Sequence, residues 1–210
     1  MQSRTNDRGE EVEHYFTENT EVEHNIKEMK FEINYEKFSF STDNAVFSKA
    51  RVDFGSELLI KTVLNEETKP DSILDVGCGY GPIGITLARF YFDAIVCMCD
   101  INNRAIDLAH ANIKKNDIKN AEAINSNIYG DIKGKYELIV TNPPIRAGKK
   151  VVHEILEKAK EHLKVNGKIY AVIQKKQGAE SAKKKLEVAF GNCEIVEKKA
   201  GFWILRSVRN

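Results

Sequence analysis

Short apolar runs alternate with amphipathic stretches along most of the chain. Runs typical of buried strands lie at 73–76, 94–99, 121–124, 137–141 and 168–173. Apolar residues at helical spacing predict helices over 52–64, 83–90, 104–114, 151–163 and 179–190. Two last runs, at 194–196 and 202–208, flank Gly201 and predict an antiparallel pair. Strands that alternate with helices predict an α/β fold, with a doubly wound, mostly parallel sheet of seven strands.

A different pattern precedes these units. Between Met29 and Ser41 apolar and polar residues alternate, which predicts two short strands in a β-hairpin. Residues 1–13 carry many charges and few apolar groups, and we predict a disordered tail there. The sequence therefore divides into this tail, a hairpin extension over 14–50, and a main domain over 51–210.

The glycine-rich segment after the first buried run is the clearest chemical signal. Asp75 interrupts the run just where the strand should end, and Gly77, Gly79 and Gly81 follow at every second position. Glycine has no Cβ, so this loop can turn sharply and let a ligand lie against its backbone. Pro82 suits the first turn of a helix, where its missing N–H costs nothing. We predict a strand, a ligand-binding loop and a helix.

Two cofactors compete for this loop, because residues 79–84 also fit the dinucleotide pattern G-x-G-x-x-G. A carboxylate at Asp75 would repel the pyrophosphate of a nicotinamide cofactor. S-adenosylmethionine lacks phosphate and carries a sulfonium and an ammonium, which a carboxylate suits. A tight turn without any ligand is the remaining alternative.

Polar residues follow the other predicted strands as well. Asp100 follows the second strand, where an acid can bind the two ribose hydroxyls of either cofactor. Asn127 follows the third strand, and Asn142 the fourth. Ligands bind beyond the carboxyl ends of parallel strands, so we expect these side chains and their neighbours Ile101 and Ile128 to share one site.

The order Asp-x-Gly-x-Gly-x-Gly resembles the first motif of the class I S-adenosylmethionine-dependent methyltransferases. The resemblance implies that Asp75 lies near the methionine end of the cofactor. It also implies that Asn127 stands where many members place an acid that contacts the adenine amino group. An amide oxygen can accept that hydrogen bond too.

Asn142, Pro143 and Pro144 form the second motif. The Asn142 side-chain oxygen and the Pro143 carbonyl could accept hydrogen bonds from both N–H groups of an exocyclic amine, which favours a pyramidal nitrogen with its lone pair directed at the methyl group. Asn-Pro-Pro is similar to the motif of methyltransferases that act on adenine, cytosine, guanine or glutamine nitrogen. A rigid turn is the structural alternative.

Three longer runs, 42–48, 52–56 and 142–148, look like the small-subunit ribosomal RNA guanine-N2 methyltransferases. This resemblance implies that Phe47 and Gly55 line the cofactor or base pocket. It implies ribosomal RNA or the small ribosomal subunit as partner. Those larger relatives carry a further, degenerate N-terminal methyltransferase domain that this sequence does not contain.

Charge is distributed unevenly along the 210 residues. Residues 1–143 hold 16 Lys and Arg against 24 Asp and Glu, whereas 144–210 hold 16 against 7. A basic C-terminal part suggests a polyanionic partner, although an ordinary solvated helix face is equally compatible. The cations nearest the expected site are Arg146, Lys149, Lys150, Lys175 and Lys176.

Composition narrows the remaining classes. No apolar run approaches the ~18 residues of a membrane span, and the N-terminus lacks the apolar core of a signal peptide, so we expect a cytoplasmic protein. The spacing of the four cysteines does not suit a metal, and we expect none. Three alternatives stay open: an amino methyltransferase that acts on DNA or protein glutamine, an NAD(P)-dependent oxidoreductase, and a catalytically silent RNA-binding module.

Overall fold

The computed structural model describes residues 26–43 and 51–210. The predicted tail over 1–13 and Phe47 lie outside this part of the chain. The N-terminal hairpin consists of β1 (Lys27–Ile33) and β2 (Glu36–Thr42), paired antiparallel as predicted.

The main domain alternates strands with helices. In chain order it contains α1 (Phe54–Glu66), β3 (Ser72–Val76), α2 (Pro82–Phe90), β4 (Ile95–Asp100), α3 (Asn103–Lys115), β5 (Ala121–Asn125), β6 (Tyr136–Thr141), α4 (Lys149–Lys158), β7 (Leu163–Gln174), α5 (Ala179–Phe190), β8 (Glu194–Lys199) and β9 (Phe202–Val208). Short 3₁₀ turns occupy Ile145–Ala147, Ala159–His162 and Lys175–Gln177. One boundary differs clearly from the prediction. Helix α4 ends at Lys158, and Leu163, expected in a helix, begins β7.

The seven-stranded sheet has the order β5-β4-β3-β6-β7-β9-β8, in which β9 runs antiparallel to its neighbours. This confirms the doubly wound, mostly parallel sheet. The chain moves outward in one direction from β3 through β4 to β5, and in the other from β6 to β7. The crevice between the ends of β3 and β6 is therefore the topological switch point, where ligands bind in such sheets.

The hairpin shares its core with the main domain. Phe31, Phe38 and Phe40 of the hairpin belong to the hydrophobic cluster that also contains residues of α1, α2 and α3. Asn112 of α3 joins the hairpin to the glycine-rich loop, because its Nδ2 donates to the carbonyls of Ser41 and Tyr80, both at 2.9 Å. The ring of Phe40 packs edge-on against Tyr80, with centroids 5.8 Å apart. The hairpin thus supports the loop from behind.

Candidate active site

A cavity of about 420 Å³ opens at the carboxyl ends of β3, β4, β6 and β7. That volume falls within the range of small-molecule sites. Its wall contains ten of the residues predicted for the site: Gly77, Gly79, Asp100, Ile101, Asn127, Ile128, Asn142, Pro143, Pro144 and Arg146. Segments that lie far apart in the sequence therefore meet at one place.

The loop after β3 is held by the end of β4. The N–H groups of Gly77 and Cys78 both donate to the carbonyl of Cys99, at 2.8 and 3.0 Å. Gly77 and Gly79 have φ of 73° and 57°, a left-handed conformation that glycine adopts without strain. The loop therefore presents its backbone to the cavity in a fixed shape.

Asp100 is anchored by backbone donors on both of its carboxylate oxygens. The Gly79 N–H donates to Oδ2 at 3.0 Å, and the Asn102 N–H donates to Oδ1 at 2.9 Å. Burial raises the pKa of Asp100, and the N–H groups of Asn102, Gly79 and Ile101 oppose that rise. The carboxylate is thus oriented before any ligand arrives. Asn102 is the N-cap of α3.

Asp75 occupies a place that the sequence did not anticipate. Strand β3 continues to Val76, so the Asp75 side chain points into the core, is fully buried and does not line the cavity. Its Oδ2 accepts the Gly84 N–H at 2.9 Å, and its Oδ1 has no partner among the described residues. Burial raises the pKa of Asp75 to about 7. Asp75 therefore supports the first turn of α2 instead of contacting a ligand directly.

Two predicted glycines also lie behind the cavity wall. Gly81 has a φ of 90°, which L side chains rarely adopt, and a Cβ there would approach the Ile85 Cδ1 to 2.8 Å, so glycine suits the turn into α2. A Cβ at Gly55 would approach the Phe202 Cε1 to 3.0 Å. Gly55 therefore lets α1 lie against Phe202, and it is Phe202 that reaches the cavity.

Asn142 is held by two residues at the start of α1. Its Nδ2 donates to Asp53 Oδ1 at 3.2 Å and to Ser56 Oγ at 3.0 Å. A carboxylate can only accept, so the amide nitrogen must face Asp53. No residue in the described ranges donates to Asn142 Oδ1, which leaves this oxygen as an acceptor for a ligand. Asp53 also caps α1 by accepting the Ser56 N–H at 3.1 Å.

The basic residues predicted at the rim take different positions. Arg146 lines the cavity, whereas Lys149 and Lys150 are exposed in the first turn of α4. Lys175 and Lys176 are exposed in the turn after β7. It is the two glutamines flanking these lysines, Gln174 and Gln177, that line the cavity.

Sequence reasoning did not single out several other wall residues, namely Asp53, Ser56, Cys78, Cys99 and Phe202. Burial raises the pKa of the Cys78 and Cys99 thiols, so both are neutral apolar surface. Asp53 and Ser56 belong to the run 52–56, which is similar to a motif of the family. Only their hydrogen bonds with Asn142 show that they hold its amide.

The cavity fits a cationic nucleoside cofactor. It carries the carboxylates of Asp53 and Asp100, and Arg146 is its one basic wall residue among those the structure describes. Most of the remaining wall is apolar, including Ile101 and Ile128, which suits a flat base. Two carboxylates against one guanidinium disfavour the binding of a pyrophosphate.

Comparison with known proteins agrees with this chemistry. The model of the methyltransferase small domain family matches residues 37–206. The uncharacterized protein YbxB of Bacillus subtilis (strain 168) is 46% identical over 197 residues, 93% of this chain and 98% of its own length. Ribosomal RNA small subunit methyltransferase C of Haemophilus influenzae (strain 86-028NP) is 36% identical over 131 residues, 60% of this chain and 39% of that protein.

Solved structures show the same fold. The 16S rRNA N2 G1207 methyltransferase of T. thermophilus, in complex with AdoMet and guanosine, superimposes with a TM-score of 0.80 at 24% identity, covering 88% of this chain and 51% of that one. A ribosomal protein L11 methylase from Lactobacillus delbrueckii subsp. bulgaricus gives a TM-score of 0.64 at 20% identity, covering 76% and 85%.

The chain spans about half the length, or less, of the curated ribosomal RNA methyltransferases that it matches. No helix in residues 26–43 and 51–210 has the length and apolar character needed to cross a membrane.

The family model covers most of the chain and decides against the oxidoreductase alternative. The chain therefore belongs to the methyltransferase small domain family of S-adenosylmethionine-dependent methyltransferases, as the motifs had indicated.

Proposed function

We propose that this protein methylates an exocyclic amino nitrogen of a nucleic-acid base, namely guanine N2 in small-subunit ribosomal RNA. The observation that carries the proposal is the fixed amide of Asn142. Asp53 and Ser56 hold its nitrogen, so its oxygen is presented to the cavity beside Pro143. The named activity of the ribosomal RNA relatives supports the choice of substrate.

The residues that would hold S-adenosylmethionine are the loop Gly77–Gly79, Asp100, Ile101, Asn127 and Ile128. When bound, the cofactor supplies an electrophilic methyl group on a sulfonium. Asp100 would accept hydrogen bonds from ribose hydroxyls, since both of its oxygens are oriented by backbone donors. Asn127 lines the same wall and can accept from an amino group through its oxygen.

Asn142 acts on the acceptor nitrogen. The lone pair of an exocyclic amine is delocalised into the ring, which makes the nitrogen a poor nucleophile. Asn142 Oδ1 and the Pro143 carbonyl would accept hydrogen bonds from its two N–H groups and favour a pyramidal nitrogen. These hydrogen bonds strengthen as positive charge develops, and Asp53 behind Asn142 adds a negative charge nearby. This is electrostatic preorganisation.

Ribosomal RNA is the proposed polyanion for the basic rim. Arg146 lies in the cavity wall, and Lys149 and Lys150 lie a few residues farther along the chain. Phosphates on either side of a splayed-out base would pass these side chains. Phosphate contacts of this kind set position and affinity but carry no base specificity.

The test is methyl transfer from labelled cofactor to four acceptors: small ribosomal subunits from cells lacking the protein, naked ribosomal RNA, DNA, and release-factor protein. The proposal expects label in RNA, recovered as N2-methylguanine after digestion to nucleosides. Label in protein glutamine or in DNA would overturn it and favour the other amino-group substrates. The fold alone does not decide this, since a ribosomal protein methylase shares it.

A further inference from the structure

Two glutamine amides face the cavity on the side away from the glycine-rich loop. Gln174 ends β7, and Gln177 ends the 3₁₀ turn that follows. Gln174 is partly buried and anchored on a central strand, whereas Gln177 is exposed. Neither side chain forms a hydrogen bond within the part of the chain that the structure describes. Each amide therefore keeps both a donor and an acceptor for a ligand.

The strand register places Gln174 near Asn142. Strands β6 and β7 run parallel with Thr141 opposite Ala171, so Asn142 lies beside Val172, and Gln174 is two residues farther along. Adjacent strands are about 4.8 Å apart with a rise of about 3.3 Å per residue, which puts the two Cα atoms about 8 Å apart. That separation leaves room for the edge of one base between the two side chains.

Both side chains point to the same face of the sheet. Side chains alternate along a strand, and Val140 and Val172 pack in the cluster beneath α1. Asn142 and Gln174 have the same parity as these two valines. Phe202, paired with Gln174 on β9, also packs against that cluster and reaches the cavity. The acceptor site thus has an amine-binding amide, a second amide and an aromatic ring on one face.

A single amide can distinguish guanine from the other amino bases at this position. Once Asn142 and Pro143 hold the exocyclic amine, guanine presents N1–H and O6 along the same ring edge. A glutamine oxygen accepts from N1–H, and its NH₂ donates to O6. Adenine presents only an acceptor at N1, and cytosine presents acceptors at N3 and O2. Gln174 can therefore form two hydrogen bonds with guanine and one with the others.

We propose that Gln174 determines base specificity by reading the N1–H and O6 edge of the acceptor guanine. The inference rests on the proposed function, because it presumes a base whose amine is held by Asn142. Sites that hydrogen-bond a substrate group reject analogues lacking that group far more strongly than apolar pockets do. An amide at Gln174 would thereby exclude adenine and cytosine without any contact to their amines.

The test combines a substitution of Gln174 with a nucleoside that lacks the two groups, N1–H and O6, that Gln174 is proposed to bind. Guanosine and 2-aminopurine riboside share the 2-amino group, but the second lacks N1–H and O6. Binding of each nucleoside is measured by calorimetry with S-adenosylhomocysteine present, and methyl transfer is measured with labelled cofactor. The parent should prefer guanosine by roughly 10-fold, the effect of about one net hydrogen bond, because 2-aminopurine riboside still offers its N1 as an acceptor to the Gln174 NH₂. Gln174→Leu should lose that preference, because guanosine loses two hydrogen bonds with the amide whereas 2-aminopurine riboside loses one.

Gln177→Leu is the matched control, since it removes an equal amide from the same wall. It should keep the preference for guanosine, and both variants should bind S-adenosylhomocysteine like the parent. An equal loss on both nucleosides in Gln174→Leu would indicate a packing role and overturn the inference. A loss of preference in Gln177→Leu alone would overturn the assignment to Gln174. So would a parent that methylates ribosomal RNA but shows no preference between the nucleosides.

Failure of the proposed function is distinguishable from these results. In that case the parent labels protein or DNA and transfers no methyl group to small-subunit RNA. The inference on Gln174 then fails together with the proposed function, because the methylated group would not be the amine of a guanine in RNA. Where the parent does produce N2-methylguanine in RNA, only the nucleoside preference of the Gln174 variant decides the matter.

Discussion

The two halves of the cavity are built in different ways. On the side that we propose for the cofactor, backbone groups set the geometry: Gly77 and Gly79 shape the loop, and N–H donors fix both oxygens of Asp100. On the side that we propose for the acceptor base, side chains set the geometry. The Asn142 amide is held there by Asp53 and Ser56, which lie at the start of α1 and far from Asn142 in the sequence. A backbone-built half is set by a short run of sequence. A side-chain-built half exists only when several elements have packed together.

Removing Asn142 gives the largest expected effect, because it empties the centre of the acceptor half. Asn142→Ala should lower the single-turnover rate by roughly 10²–10³ while leaving cofactor affinity near that of the parent. The expected loss of rate is that of the proposed hydrogen-bond acceptor for the amine, Asn142 Oδ1. Rapid-quench turnover and calorimetry with S-adenosylhomocysteine measure the two halves separately. A variant with a near-normal rate would show that Asn-Pro-Pro is only a turn.

A pH series on Asp75 tests what lies beneath the cofactor half. Its folded pKa, raised to about 7 by burial, means that its contribution to stability is complete below the unfolded pKa of about 4 and is lost as pH rises through 7. Relative to Asp75→Asn, the parent should therefore lose about 2–3 kcal/mol of unfolding free energy between pH 5 and pH 8. Urea unfolding at several pH values measures this, and a constant difference would contradict it.

The same contrast explains what the sequence could predict. The alternation of strands and helices, the loop and the strand-end residues Asp100, Asn127 and Asn142 followed from local pattern, and the structure brings them together. Asp75 was expected at the cavity because its strand was taken to end one residue early. Gln174 and Asp53 could not be connected with Asn142 from the sequence, since only the β6–β7 register and the packing of α1 bring them close to it.

Asp100→Ala tests whether a backbone-oriented carboxylate dominates cofactor binding. Its loss should weaken S-adenosylmethionine by about 1.5–3 kcal/mol, the range for hydrogen bonds to a charged group. The rate at saturating cofactor should change much less, because Asp100 does not belong to the acceptor half. Calorimetry with S-adenosylmethionine and with NAD measures the affinity and checks the cofactor. Tight NAD binding without S-adenosylmethionine heat would contradict the whole assignment.

Asp53 offers a way to weaken the acceptor half without touching Asn142. Asp53→Ala removes one acceptor of the Asn142 amide and should lower the single-turnover rate about tenfold, the value of one or two net hydrogen bonds. Asp53→Asn keeps an oxygen for the Ser56 N–H and for Asn142, so it should retain most of the rate. If both variants lose the rate equally, the charge of Asp53 matters more than the orientation of Asn142.

The smallest effect is expected outside both halves, at the basic rim. Lys149 and Lys150 are exposed and form no ion pair with a described residue, so they are available to phosphate. Replacing both by Ala should lower the slope of log K against log salt for RNA binding by about one to two, because each phosphate contact releases about one counterion. Base preference should not change, since phosphates carry no sequence information.

Lys183→Ala with Lys184→Ala provides the matched control for the rim. These two substitutions remove the same amount of charge from α5, a helix that does not form part of the cavity wall. An equal fall in slope in both double variants would mean that RNA responds to the overall charge of the basic C-terminal part. An unchanged slope in the Lys149 and Lys150 variant would make these lysines an ordinary solvated surface. Only a fall confined to that variant places the RNA backbone beside the acceptor half, where Asn142 and Gln174 would meet the base.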